Sequence, residues 1–171
     1  AAPTRGAATI PFGNGRMKQR HSYSKLHVHI VFKIWRRAAL IEGDLAEEAQ
    51  VATFVSRAGA ALGPLTALVN SASVFEDDRI ETMTRVSWDK HIETNLRAPL
   101  VLAQSFAQAL PVGQHGAIVN MIDQAVLNLT PQFLSYTVSK AALWTLTQTL
   151  AQALAPRIRV NAVAPGPALK A

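Results

Sequence analysis

"GAIVNMIDQAVLNLTPQFLSYTVSKAALWTLTQTLAQALAPRIRVNAVAPG", residues 116–166, reads as a strand, a helix and a second strand. "GAIVNMI" is a short, nearly continuous apolar run. "SYTVSKAALWTLTQTLAQAL" is long, apolar at helical spacing and rich in small residues. "RIRVNAVAPG" is apolar again and runs into a Pro-Gly turn. Short apolar strands that alternate with longer amphipathic helices predict a parallel sheet covered on both faces.

The same rhythm extends upstream to about residue 38. "RAALIEGDL" gives a short apolar run ending in Gly43-Asp44. "AEEAQVATFVSRAGAAL" follows, with Val51, Phe54, Val55 and Ala58 on one helical face and Gly63-Pro64 as its stop. "LTALVN" is a buried-strand candidate that ends abruptly in "SAS". "SWDKHIETNLRAPLVLAQSFAQAL" predicts a long helix with Ser87 as N-cap. Ligands of such sheets sit beyond the carboxyl ends of the strands, so Asn70, Asp123 and the Pro165-Gly166 turn should line one rim.

With 171 residues the chain is long enough for one domain with a real core. It is 49% apolar and 16% charged, which separates it from disordered sequences. Absence of cysteine excludes disulfides and thiolate metal sites. No apolar run reaches the roughly 18 residues of a membrane span, and the start lacks the basic-then-apolar order of a secretory signal. A cytoplasmic protein with no membrane partner is the expectation.

The net charge of +6 is uneven: residues 1–37 hold eight basic side chains and no acid, while residues 38–171 hold 9 basic and 11 acidic ones. A basic arm can contact nucleic acid, but this one lacks interleaved aromatics on a recognised fold. A terminus foreign to the domain behind it is the preferred reading. Within it, "LHVHIVFKIW" reads as a strand with Leu26, Val28, Ile30, Phe32 and Ile34 on one face and His27, His29 and Lys33 opposite. No further ligand accompanies the two histidines, so no metal site is assigned.

Tyr136 and Lys140 lie four residues apart and share one face of the predicted helix. A neighbouring ammonium favours the phenolate, and both residues are expected in the first turn, where the macrodipole also favours negative charge. The expectation is a phenol acidified into an acid-base catalyst. Alone, the spacing is common. Its context is not: "LVNSAS", "NLRAP", "SYTVSK" and "RVNAVAPGP" occur in that order.

That order resembles the short-chain dehydrogenase/reductase family, over about residues 38–168. The resemblance implies an α/β, Rossmann-like, doubly wound parallel sheet and an oxidoreductase. It implies Tyr136 as general acid for hydride transfer, Lys140 as its tuner and ribose anchor, and Asn95 as holder of a relay water. Cofactor contacts are implied for Asp44 and Leu45 at the adenine, for Asn70, Ser71 and Ala72 at the strand end, and for Pro165 and Gly166 beside the nicotinamide. The helices bearing Asn95 and Tyr136 are implied to build a homodimer or homotetramer.

Thirteen positions before the tyrosine, where the family usually has a serine, stands Asp123. A carboxylate suits a nitrogen heterocycle, whose N–H groups it can accept from, better than a carbonyl. "NMID" in this register resembles the pteridine reductase branch, with its dihydromonapterin and dihydrofolate reductases. The resemblance therefore implies a pterin-like substrate and NADPH, with NADH open. The plain alternative for Asp123 is a strand-end carboxylate that caps a turn.

Both ends depart from the family. A Thr-Gly-x-x-x-Gly-x-Gly turn normally cradles the pyrophosphate. Counted from Gly6, its second and third glycines would fall on Ile10 and Phe12, and Gly13 and Gly15 lack partners at the needed spacing. The family's last strand would lie beyond Pro167. The organisation expected is an atypical basic segment over 1–35 and a partial Rossmann-type reductase domain over 36–171, incomplete in its first and last strands, as a gene fragment with a foreign start would be. Two functions stay open: a pterin reductase, or an inactive remnant that survives as an interaction module.

Overall fold

The computed structural model describes residues 30–34, 37–41 and 43–166. His27, His29 and the glycines near the start lie outside the described residues.

Three strands, β3 (Ala67–Asn70), β4 (Gly116–Met121) and β5 (Ile158–Val163), form a sheet in the order β3-β4-β5. Both pairings are parallel, with Asn70 opposite Asn120 and Met121 opposite Val163. The carboxyl ends of all three strands therefore meet at one rim, as the alternation of strands and helices requires. Helices α1 (Glu48–Leu62), α3 (Ala98–Ala109) and α4 (Leu134–Leu154) flank them. α4 is the βαβ crossover between β4 and β5.

The first strands differ from expectation. β1 (Ile30–Ile34) and β2 (Arg37–Ile41) pair with each other, antiparallel, with Ile34 opposite Arg37. Residues 37–41 do not extend the three-stranded parallel sheet. Two residues separate these strands, which suffices for an antiparallel hairpin but not for a parallel crossover.

The predicted helix over 87–110 is one helical run in three pieces: α2 (Arg85–Ile92), a π turn (Glu93–Arg97) and α3. Its N-cap is Thr84 rather than Ser87. Ser87 instead completes a reciprocal capping box, its hydroxyl accepting from Thr84 N–H at 3.1 Å while Thr84 Oγ1 accepts from Ser87 N–H at 3.1 Å. The π turn has a cause in the sequence. Pro99 brings no N–H to the main-chain carbonyl of Asn95, four residues back, and its ring crowds that carbonyl. One residue's worth of slack directly before it relieves the crowding.

The core lies where α1 and α3 meet the sheet. Phe54, Val55 and Ala58 of α1 are buried with Val101, Leu102, Ala103 and Phe106 of α3 and with Ile118, Ile158 and Val160 of the strands. Burial of each phenylalanine ring stabilises the fold by about 2–3 kcal/mol. The turn before α1 depends on Gly43, since a Cβ there would sit 2.3 Å from Phe54 Cζ. Among the described residues, no helix is long and apolar enough to cross a membrane.

Candidate active site

Asp123 leaves the end of β4 as the N-cap of a short 3-10 turn (Gln124–Val126). Its two oxygens do separate work. Oδ1 accepts from Ala125 N–H at 2.8 Å, which caps the turn, and Oδ2 accepts from the Tyr136 hydroxyl at 2.6 Å. The turn-capping and site readings of this residue are thus compatible. Tyr136 is buried and Asp123 half-buried, so the bond is partly shielded from water.

Lys140 is buried on the same side of α4, in its second turn rather than the first. Its Nζ donates to Met121 O at 2.8 Å and lies 5.7 Å from the centroid of the Tyr136 ring. Burial depresses the Lys140 pKa to about 8, the Asp123 charge partly offsetting the cost of desolvation. The expected acidification of the phenol is not what this arrangement produces. Burial, then the hydrogen bond to Asp123 and the charge of that carboxylate, push the Tyr136 pKa well above its ordinary value. The cause is geometric: the phenol's immediate neighbour is an anion that its proton bridges, and the ammonium donates to a strand-end carbonyl rather than to the phenol. Tyr136 is held as a protonated donor.

Asn95 sits in the π turn and is fully buried. Its Nδ2 donates to Val74 O at 2.9 Å and Ser139 Oγ at 3.0 Å, while Oδ1 accepts from Val74 N–H at 2.8 Å and Ser73 Oγ at 3.2 Å. All four positions of the amide are filled, and they stitch the loop after β3 to α4. Asn70, at the end of β3, donates to Asn120 Oδ1 at 2.8 Å, and Asn120 passes a bond to Thr147 Oγ1 at 2.9 Å. Asn70 Oδ1 is buried and lacks a partner among the described residues. Ser71 is exposed and Ala72 rests against the core at the same rim.

Asp44 and Leu45 stand apart from this cluster. Asp44 Oδ1 accepts from Ala46 N–H at 2.9 Å, its N–H donates to Gln50 Oε1 at 3.0 Å, and the Leu45 side chain belongs to the core. Neither bonds to Tyr136, Lys140 or Asp123. Pro165 and Gly166 follow β5 as exposed coil, with Gly166 near the Gln124 side chain beside Asp123.

Several residues at this corner were not visible in the sequence. Phe75 is 60% exposed yet stacks on Phe133 at 4.4 Å between centroids and meets Tyr136 edge-on at 4.6 Å, so an aromatic wall stands beside the phenol. Phe133 begins α4 with φ 56° and supplies no side-chain cap. Asp78 replaces it: its main-chain oxygen accepts from Leu134 N–H at 3.0 Å, and its carboxylate accepts from Ser135 N–H at 2.9 Å and from Ser135 Oγ at 2.5 Å. Burial alone would raise the Asp78 pKa, but the Ser135 bonds and Ser87 Oγ at 3.1 Å together hold it below the usual carboxylate value. An acid 57 residues away carries no local capping signal, although paired aspartates in a loop hint at one.

The geometry has counterparts. A profile of the short chain dehydrogenase family matches residues 17–169. The FolM alternative dihydrofolate reductase 1 of Brucella canis, solved with NADP, is 49% identical, with a TM-score of 0.73 over 76% of this chain and 52% of that one. A short-chain dehydrogenase of Burkholderia cenocepacia, also solved with NADP, is 36% identical, with a TM-score of 0.69 over 74% of this chain and 51% of that one. A short-chain type dehydrogenase/reductase of Picea abies is 36% identical over 135 residues, 77% of this chain and 49% of the relative. The chain spans about half the length of the relatives it matches. With the family profile aligned to most of its residues, and with the strand-end and helix motifs gathered at one rim, the chain belongs to the short-chain dehydrogenase family.

Proposed function

We propose that this chain carries the catalytic residues of an NADPH-dependent reductase that acts on a reduced pterin ring of the dihydropteridine or dihydrofolate type. One observation carries the reading: a buried, protonated Tyr136 donates to Asp123 at 2.6 Å, so the acid that serves a reduction is paired with a carboxylate able to accept ring N–H groups. The exposed Phe75 ring beside it suits a flat heteroaromatic substrate. The Brucella enzyme, described as a dihydrofolate reductase and solved with NADP, supports both the substrate class and the cofactor.

Tyr136 gives its proton to a ring nitrogen of the substrate, and the phenolate left behind is stabilised by Lys140, whose pKa of about 8 keeps it mainly cationic at neutral pH. Asp123 orients the ring by accepting from its N–H groups. Asn95 would hold a relay water through its main chain: its side-chain amide is fully bonded, and Pro99 denies its carbonyl the usual donor four residues on. NADPH, when bound, supplies the hydride. The rim fits that cofactor: Lys140 spends one of its three N–H donors on Met121, and Asn70 Oδ1, without a partner among the described residues, can accept one. Lys140 would hold the ribose. Asn70, Ser71, Ala72, Pro165 and Gly166 would meet the rest of the nicotinamide half, and Asp44 and Leu45 the adenine. Assembly into a dimer or tetramer through the helices of Asn95 and Tyr136 is part of the same reading, supported by Val138 and Trp144 exposed on α4.

The test is a titration of the purified chain with NADPH, followed by turnover of a dihydropterin read as loss of reduced-nicotinamide absorbance. Micromolar binding and turnover that falls at least about a hundredfold in Y136F are expected. No binding at millimolar cofactor would make the chain a remnant, an outcome that the unrecognisable glycine cradle keeps worth measuring.

A further inference from the structure

His91 is fully buried beside the site and takes no part in the proton transfer ascribed to Tyr136. Its ring bridges two elements. Nε2 faces the Glu76 N–H at 3.2 Å, and Nδ1 faces Ser135 Oγ at 2.7 Å and Ser87 O at 2.9 Å. The protons can be assigned from their partners. A backbone N–H only donates, so Nε2 must accept and carries no hydrogen. The ring hydrogen then lies on Nδ1, where the Ser87 carbonyl can only accept. The Ser135 hydroxyl sends its own hydrogen to Asp78 Oδ2 at 2.5 Å and offers His91 a lone pair. Every bond closes with a neutral imidazole protonated on Nδ1. The other tautomer would set Nε2–H against the Glu76 N–H and leave Nδ1 facing a carbonyl with no hydrogen between them.

With this assignment Ser135, His91 and Asp78 do not form a nucleophilic triad. The hydroxyl is fully buried, and its hydrogen points at the carboxylate rather than at the imidazole. What the ring does instead follows from its two ends. Ser135 precedes Tyr136, and Glu76 follows Phe75. We infer that His91 is a positioning residue: it ties the first turn of α4 to the loop after β3 and thereby fixes Phe75 against Tyr136, at 4.6 Å between ring centroids. The spacing of the aromatic wall and the phenol is set by one imidazole in one tautomer.

This inference leans on the proposed reductase only in treating the wall as a substrate surface, so its test uses neither cofactor nor turnover. The chain has two tyrosines, Tyr23 and Tyr136. Ring-labelled tyrosine in the full chain gives two signal sets, assigned with Y136F, and F75L marks the part of the Tyr136 shift that comes from the Phe75 ring. In H91F, which fills the space without either bond, the Tyr136 signals should move to their F75L positions. H91Q, whose amide oxygen can still accept from the Glu76 N–H, should bring the Tyr136 signals back from their F75L positions to the wild-type shift less the part that comes from the His91 ring itself, 6.2 Å between centroids. Nitrogen spectra of the labelled imidazole should show the proton on Nδ1. Tyr136 signals that stay in place in folded H91F would overturn the assignment, and so would a proton on Nε2. Should H91F fail to fold, the tautomer of the native ring decides alone, Nδ1–H for the proposal and Nε2–H against it.

Discussion

The Tyr136 corner and the Asp44 corner both follow strand ends, yet they are held by opposite means. Around Tyr136 the side-chain bonds join residues far apart in sequence: Asp78 to Ser135 across 57 positions, Asn95 to Ser139 across 44 and to Val74 across 21. Around Asp44 they span 2 and 6 positions, and the turn is otherwise set by Leu45 in the core and by Gly43 against Phe54. The first corner exists only once the chain has folded around it. The second is a local turn seated on an apolar floor. Preorganised polar groups are what the proton transfer proposed for Tyr136 would require, and they cluster where the phenol is.

The sharpest way to break this contrast is D78A. The substitution strips α4 of the carboxylate part of its borrowed cap and leaves Ser135 Oγ and Ser135 N–H without that acceptor, beside a buried ring, while Ser87 Oγ retains Thr84 O. Loss of several bonds to a buried charge should cost about 4 kcal/mol, read from urea unfolding. Because the native state holds the Asp78 pKa below its unfolded value, that advantage is present above the unfolded pKa and fades as pH falls through the folded one. The gap between wild type and D78N should therefore close in acid. A gap that stays constant down to that range would mean the carboxylate is not the cap.

G43A probes the other corner through packing. A methyl group placed 2.3 Å from Phe54 Cζ has to displace a ring that is almost wholly buried, which should cost about 2 kcal/mol in the same measurement. F54L in that background should return part of the loss, since the smaller side chain makes room. Additive penalties would show that the close approach is not the cause.

How much of this was legible follows the same division. The parallel sheet could be read because β4, α4 and β5 each carry their period within themselves, and the carboxyl rim came with parallel pairing. Asp123 could be read at that rim because it follows a strand end, and Tyr136 because it pairs with Lys140 within an ordered set of motifs. The capping of α4 could not, since Asp78 reaches it from 57 residues away, and Phe133 at its start gives no cap of its own. The charge state of Tyr136 was misread for a related reason. Spacing along a helix brings Lys140 near, but the fold chooses which carbonyl the ammonium meets, and it chose Met121. The hairpin of β1 and β2 went unread because an apolar run carries no mark of its partner.

A smaller effect separates the buried ammonium from its surroundings. The Lys140 pKa is lowered to about 8 in the folded chain, so above that pH the unfolded chain binds more protons and stability should rise. Tyr136 acts in the opposite sense: its pKa is raised, so its contribution is held below the unfolded value near 10 and lost above it. Between pH 8 and 10 the wild type should gain about 2 kcal/mol relative to K140M, with the trend flattening beyond the unfolded lysine value. A flat difference across that interval would mean that Lys140 is solvated.

D44A should change least. The Asp44 carboxylate caps its own turn through one exposed bond to Ala46 N–H, while the main-chain bond to Gln50 Oε1 and the buried Leu45 side chain survive the substitution. One exposed side-chain bond is worth about 0.5 kcal/mol, so unfolding of D44A should be nearly superimposable on that of the wild type. If Asp44 is a ligand contact rather than a structural one, D44A should weaken nucleotide binding far more than it weakens the fold. D78A would show the reverse order, with most of its cost in stability. A large loss of stability in D44A would mean that the carboxylate holds something beyond its own turn, and the two corners would no longer differ in kind.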